Sequence, residues 1–298
     1  LWHIAGGRGL AYISLMSAEW RAVAAEIGGG VMRCPLPAAD IVRVAGADAA
    51  TFLGAQLINT LPAGEGVCGY NGYCSPKGRL LCTLTVWRAA GAFFLLADRG
   101  LGADFAGRLK KYVLRAKVTV AMADDSFTCT GLIGDVGGEG AGGGRRLRLP
   151  GTFPRFVAVS EEPLGDGAPQ AREVDENLWE AARIFAGVPR ITQATCEKFL
   201  PQQLNMEELG GISFNKGCYP GQEVIARLHF LGKQKTKMLH RILPPQPAPR
   251  PGGAVTDSTG RPIGSVVTAA RLPDERLLVQ AVLPLTDGGE IRFRAPDV

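Results

Sequence analysis

The run Lys216–Phe230, "KGCYPGQEVIARLHF", decides how this chain is read. It sets Cys218 between Lys216 and a Pro-Gly turn. Pro220 suits the first position of a helix, and Gly221 eases the entry. Glu223 complements the positive end of the helix dipole. A thiol is therefore expected just before a helix N-terminus, near the Lys216 ammonium. Both influences favour thiolate, so Cys218 is a candidate reactive cysteine with Lys216 beside it. The competing reading is an inert, packed cysteine, one of seven in the chain.

The rest of the composition bounds the answer. With 298 residues, 46% of them apolar, the chain can form two or three domains with packed cores. Its 40 glycines indicate many turns. No apolar run reaches the ~18 residues of a membrane span, and "LWHIAGGRGLAYISLMSAEW" lacks the layout of a secretory signal. Met16 is a plausible alternative start. The net charge of +5 permits an anionic partner without demanding one. Seven cysteines without a CxxC, and three histidines, support neither a disulfide framework nor a zinc site. A reducing compartment, most simply the cytoplasm, fits this usage.

Along the chain, "DIVRVAG" reads as a strand and "DAATFLGAQL" as a helix capped by Asp48, with Phe52, Leu53 and Leu57 on one face. Three strands follow in "GVCGYNGYCS", "RLLCTLTVWR" and "AFFLLAD". A helix over Ala103–Leu114 has Phe105, Leu109, Tyr112 and Val113 on one side. "KVTVAMAD" returns as a strand. This β-α-β-β-β-α-β order resembles a ferredoxin-like sandwich with an added strand. "SFTCTGLIG" opens a second block. Its glycine-rich "GDVGGEGAGGGRRLRLPG" reads as a hairpin loop rather than a phosphate cradle, and "SEEPLGDGAPQA" as another loop. "DENLWEAARIFAG" is a helix capped by Asp175 and ended by Gly187. After Gly232 come a Pro-rich connector, "LPPQPAPRPGG", and short strands that suggest a small β-barrel.

On the Asp175 helix, Leu178, Ala182 and Phe185 form the natural core face. Trp179 and Arg183 can then border a cleft, where a flat heteroaromatic ligand stacks on the indole and a carboxylate meets the guanidinium. A core tryptophan with a snorkelling arginine is the alternative. Lys233, Lys235 and Lys237 alternate and would share one face of a strand, as a solvated edge or a polyanion contact. In "SPKGRL", Lys77 and Arg79 flank a turn that can orient an anion or simply join two strands.

These residues together resemble the YgfZ family, folate-binding relatives of the glycine-cleavage T protein. The family's Lys-Gly-Cys-Tyr-x-Gly-Gln-Glu signature is matched at Lys216, Gly217, Cys218, Tyr219, Gly221, Gln222 and Glu223. "FLPQQLNMEELGGISF", "RLHFLGKQK", "SPKGRL" and "LKKYVLRAKV" resemble it too, and the family's folate-side tryptophan falls on Trp179. The likeness runs from Asp40 to the C-terminus. It departs at "QLINT", where Ile58 and Thr60 replace a Thr and an Asp, at the missing second tryptophan near Ala39, and at Pro220.

The resemblance implies an α+β fold with three domains in a ring. Residues 1–39 and 125–232 would form a split first domain carrying the motif. Residues 40–124 would be the inserted ferredoxin-like domain, and 233–298 a closing β-barrel. It implies binding of tetrahydrofolate, with or without a polyglutamate tail. The candidate binding residues are Trp179, Arg183, Tyr219, Gln222, Glu223, Lys77 and Arg79, with Cys218 and Lys216 as the reactive pair and no metal. It also implies a monomer with iron–sulfur client enzymes, including those that thiomethylate tRNA, and no membrane contact. The setting would be a bacterial cytoplasm, or a mitochondrial matrix in a eukaryote. Two other classes compete. An aminomethyltransferase of the T-protein type would need an aspartate in the strand region "KGRLLCTLTV", yet no acidic residue lies between Lys77 and Ala97. A direct RNA enzyme or binder lacks an aromatic platform and a concentrated basic surface.

Overall fold

The structure, a computed structural model, describes residues 21–23, 25, 30–36, 40–123, 127–136, 145–161, 171–285 and 291–293. Met16 and most of "SEEPLGDGAPQA" lie outside them. Strand β1 (Met32–Pro35) comes first. The middle block follows as β2 (Asp40–Ala45), α1 (Ala49–Gly54), β3 (Cys68–Cys74), β4 (Leu80–Ala89), β5 (Ala92–Ala97), α2 (Gly102–Lys110) and β6 (Thr119–Met122). This is the order read from the sequence. Its strands lie side by side as β3-β4-β5-β2-β6, all antiparallel.

That second sheet is buried on both faces, so β4 shows eight buried residues in a row, Leu80 to Trp87. Alternate side chains point to opposite faces. Val42, Val44, Leu84, Val86 and Leu95 pack toward the helices with Leu53 and Phe105. Ile41, Trp87 and Phe94 pack the other way, onto Leu147, Val157 and Val159 of a neighbouring sheet. That neighbour comprises β7 (Thr128–Ile133), β8 (Arg145–Arg148), β9 (Arg155–Ser160) and β10 (Arg172–Glu173) with β1, in the order β10-β1-β7-β9-β8.

Helix α3 (Glu176–Phe185) crosses to the third sheet. Its Ala181, Ile184 and Phe185 meet Ala270, Leu272 and Leu278. As expected, Asp175 caps it, accepting from the Leu178 N–H at 2.8 Å. Helix α4 (Gln222–Leu231) leads into the third sheet: β11 (Thr236–Leu243), β12 (Ala254–Asp257), β13 (Pro262–Arg271), β14 (Leu277–Pro284) and β15 (Ile291–Phe293). It is antiparallel in the order β11-β14-β13-β12-β15.

Several local readings change. Asp48 precedes α1 but makes no side-chain cap; its carboxylate accepts the Lys117 N–H instead. Helix α2 stops at Lys110, and Tyr112 is exposed rather than packed. The glycine-rich segment does not close a hairpin, because β9 lies between β7 and β8 in the sheet. The tight return joins β8 to β9, and residues 137–144 lie outside the described ones. The Pro-rich connector runs between β11 and β12, inside the sheet rather than before it. The lysine row is not a strand face, since β11 begins after Lys233 and Lys235, and Lys237 is paired with Glu208.

Candidate functional site

A cavity of about 160 Å³ opens where the first sheet, the second sheet and α3 meet. An engineered apolar cavity of about 150 Å³ holds a benzene ring, so a flat aromatic group is the right scale of occupant. Trp179 forms one wall. Its indole lies against the β7 backbone at Gly131, where an added Cβ would come within 2.8 Å of the ring. Only a glycine lets the indole settle there. The apolar remainder comes from side chains such as Leu96, Leu149 and Val157.

Half of the lining residues are polar: Arg99 and Glu176 pair at 2.6 Å and are exposed, whereas Glu180, Arg183 and Arg155 are buried. Glu180 of α3 accepts from Arg183, from Arg190 at 3.3 Å and from Thr268 of β13 at 2.7 Å. Burial alone would raise the Glu180 pKa, but the two guanidiniums outweigh that and hold it below the usual range. Asp98 directly follows β5 and accepts from the Thr83 N–H at 2.8 Å and the Thr83 hydroxyl at 2.6 Å. Burial pushes its carboxyl up, and the Thr83 bonds and Arg183 only partly counter this. Arg155 is fully buried on β9, with its guanidinium carbon 5.6 Å from the Trp179 ring centre. Burial and the nearby Arg183 charge pull its pKa down to about 9.

The signature run folds as a turn at a different place. Gly221 takes a left-handed conformation (φ +82°) before α4, and a Cβ there would meet the Gly78 Cα at 2.5 Å. The Ser75–Arg79 turn and the Cys218–Gly221 turn are thus locked backbone to backbone. Pro220 lies before the helix N-cap rather than at the first helical position. Cys218 is exposed. Lys216 turns away from solvent: its ammonium donates to the Gly54 carbonyl at 2.6 Å and to the Leu57 carbonyl, and lies 4.9 Å from the Tyr219 ring centre. Burial pushes its pKa down to about 8.

Of the residues singled out in the sequence, Trp179 and Arg183 line the cavity, while Cys218, Lys216, Tyr219, Gln222, Glu223, Lys77 and Arg79 do not. Tyr219 is core, packed among the residues around α1 and α2. Gln222 and Glu223 begin α4, and Lys77 is exposed on its turn. Arg79 donates to the Lys198 carbonyl, a structural contact. Arg183 is committed to Glu180, so a ligand carboxylate has no open guanidinium there. The sequence pattern does not single out Asp98, Glu180 or Arg155, all of which line the cavity. Asp98 lies one residue past the acid-free stretch between Lys77 and Ala97. Glu180 could have been found from its i, i+3 spacing to Arg183. Arg155 had no signal, because β9 was not foreseen.

No family model matches the chain. Solved structures show the fold: glycine cleavage system aminomethyltransferase T from Bartonella henselae aligns with a TM-score of 0.66 at 16% identity, covering 88% of this chain and 81% of that one. Among curated proteins, the tRNA-modifying protein YgfZ of Klebsiella pneumoniae is 32% identical over 238 residues, covering 71% of this chain and 72% of its own length. YgfZ of Serratia proteamaculans is 31% identical over 286 residues, covering 86% of each chain. YgfZ of Edwardsiella ictaluri is 29% identical over 272 residues, covering 81% of each. At this identity and coverage, and on this fold, the chain belongs to the YgfZ family.

Proposed function

We propose that the protein binds a tetrahydrofolate-type ligand in the cavity and serves the assembly or repair of iron–sulfur enzymes, supporting tRNA modification indirectly. The observation that carries the folate reading is the cavity itself. A seated indole stands with a half-buried carboxylate, Asp98, and a buried guanidinium, Arg155, in a space of aromatic dimensions. That set suits a flat heterocycle with both donor and acceptor edges. Trp179 would stack or border the ring, Asp98 would accept from it and Arg155 would donate to it. A bound tetrahydrofolate would supply the one-carbon or reducing chemistry; the chain holds and orients it. The link to tRNA is taken over from the relatives' names, and the exposed thiol of Cys218 is the group best placed to meet a client.

Titrating tetrahydrofolate against intrinsic tryptophan fluorescence tests the binding arm. Saturable quenching that is lost in Trp179→Phe supports it, and a linear, unsaturable response defeats it. The client arm is tested in cells: Cys218→Ser should lower tRNA thiomethylation while the protein still folds. A second reading, aminomethyl transfer, is favoured by one observation, the Asp98 carboxylate inside the cavity. Aminomethyl transfer from a carrier protein to tetrahydrofolate by the purified chain would establish that reading instead.

A further inference from the structure

We infer that Arg155 reads a ring carbonyl at the buried end of the ligand, so that the cavity accepts an oxo-substituted heterocycle and rejects its amino-substituted counterpart. The inference rests on the folate reading and deepens it. Arg155 is 0% exposed. One of its groups, Nη2, donates to the Pro150 carbonyl at 3.0 Å. Its Nε and Nη1 are buried and donate to no group among the described residues. The nearby carboxylates are engaged elsewhere, Glu180 by Arg183, Arg190 and Thr268, and Asp98 by Thr83.

A guanidinium has donors only and cannot turn to accept. Leaving such donors unmade in a buried place is costly, more so for a charged group. Arg155 lines the cavity next to Trp179, where a flat ring would lie. An oxygen on that ring's edge would take the free N–H groups. An amino group in the same position would set hydrogens against hydrogens. Burial, and then the neighbouring Arg183 charge, also depress the Arg155 pKa, as fits a guanidinium held away from water. The Tyr70 hydroxyl also lines the cavity, buried beside Thr83, but it can donate or accept and so does not discriminate.

The test compares two ligands in one oxidation state, tetrahydrofolate and its 4-amino-4-deoxy analogue, by calorimetry under anaerobic conditions. In the unaltered protein, tetrahydrofolate should bind tighter by roughly ten- to a hundredfold. Arg155→Met should weaken tetrahydrofolate and, by removing the opposed hydrogens, strengthen the analogue, so that the two affinities converge. The ratio in the unaltered protein stands even where the variant fails to fold. Equal affinities, or tighter binding of the amino analogue, overturn the role of Arg155 while the folate reading survives. Arg155-dependent binding of p-aminobenzoylglutamate alone would also overturn it, because the guanidinium would then be reading a tail carboxylate. Failure of every folate to bind removes both readings.

Discussion

Cys218 and Lys216 stand two residues apart, yet the turn between them sends one side chain outward and the other into the protein. Cys218 is exposed, whereas the other six cysteines are buried or half-buried. Burial pushes the Cys34 thiol up to about 11 and raises Cys74 and Cys82 as well. Alkylation at neutral pH, followed by peptide mass spectrometry, should therefore mark Cys218 first. Labelling of Cys74 or Cys82 ahead of it would contradict the turn geometry. Lys216 gives a pH signature. Its folded-state pKa, about 8, lies below its ordinary 10.5, so the folded protein binds fewer protons between those values. Its contribution to stability should be flat below pH 8 and rise from there toward 10.5. Urea midpoints at pH 7.5 and 9.5 should show a smaller alkaline gain in Lys216→Met than in the unaltered protein. The sequence placed Lys216 beside the thiol because both lie in one short motif. It could not show that the Gly54 and Leu57 carbonyls at the end of α1, some 160 positions away, compete for the ammonium and win.

At the scale of elements, the two turns locked at Gly78 and Gly221 explain why "SPKGR" and "KGCYPGQE" belong together without either lining the cavity. Gly221→Ala would place a Cβ on the Gly78 backbone and force a left-handed alanine, costing about 1–3 kcal/mol. Chemical denaturation measures this, and an unchanged midpoint would mean that the turns can part without loss. The middle sheet is legible because its strands are short, apolar-rich runs between turn signals, and α3 because Asp175 and Gly187 punctuate it. Strands β8, β9 and β12 are not. Their four to six residues are flanked by glycine-rich or Pro-rich chain, and pairing with neighbouring strands rather than a local pattern makes them strands. The miss at β9 mattered most, since it hid Arg155.

Over the whole molecule, α3 ties the third sheet to the other two. Its Asn177 side chain exchanges hydrogen bonds with the Arg271 backbone at 2.6 and 2.9 Å, and its Glu180 holds Thr268, Arg183 and Arg190 together. Glu180→Gln should cost roughly 3–5 kcal/mol, because it leaves buried guanidiniums without their charge partner. A loss below 1 kcal/mol in urea unfolding would show that the network contributes little. The same helix carries Trp179 on its cavity side, so one element both joins the sheets and shapes the site. The resemblance in the sequence pointed to Trp179 through its family motif. The cavity depends on the first two sheets meeting α3, and a linear pattern does not show that. The central claim is that this meeting point binds a folate. Calorimetric titration of tetrahydrofolate into the unaltered protein and into Trp179→Ala tests it most directly. Binding should be saturable and one-to-one, and weakened in the folded variant by the lost stack, worth about 0.5–1.5 kcal/mol beyond the lost contact area. Absence of saturable binding, or equal affinity in the folded variant, would contradict it.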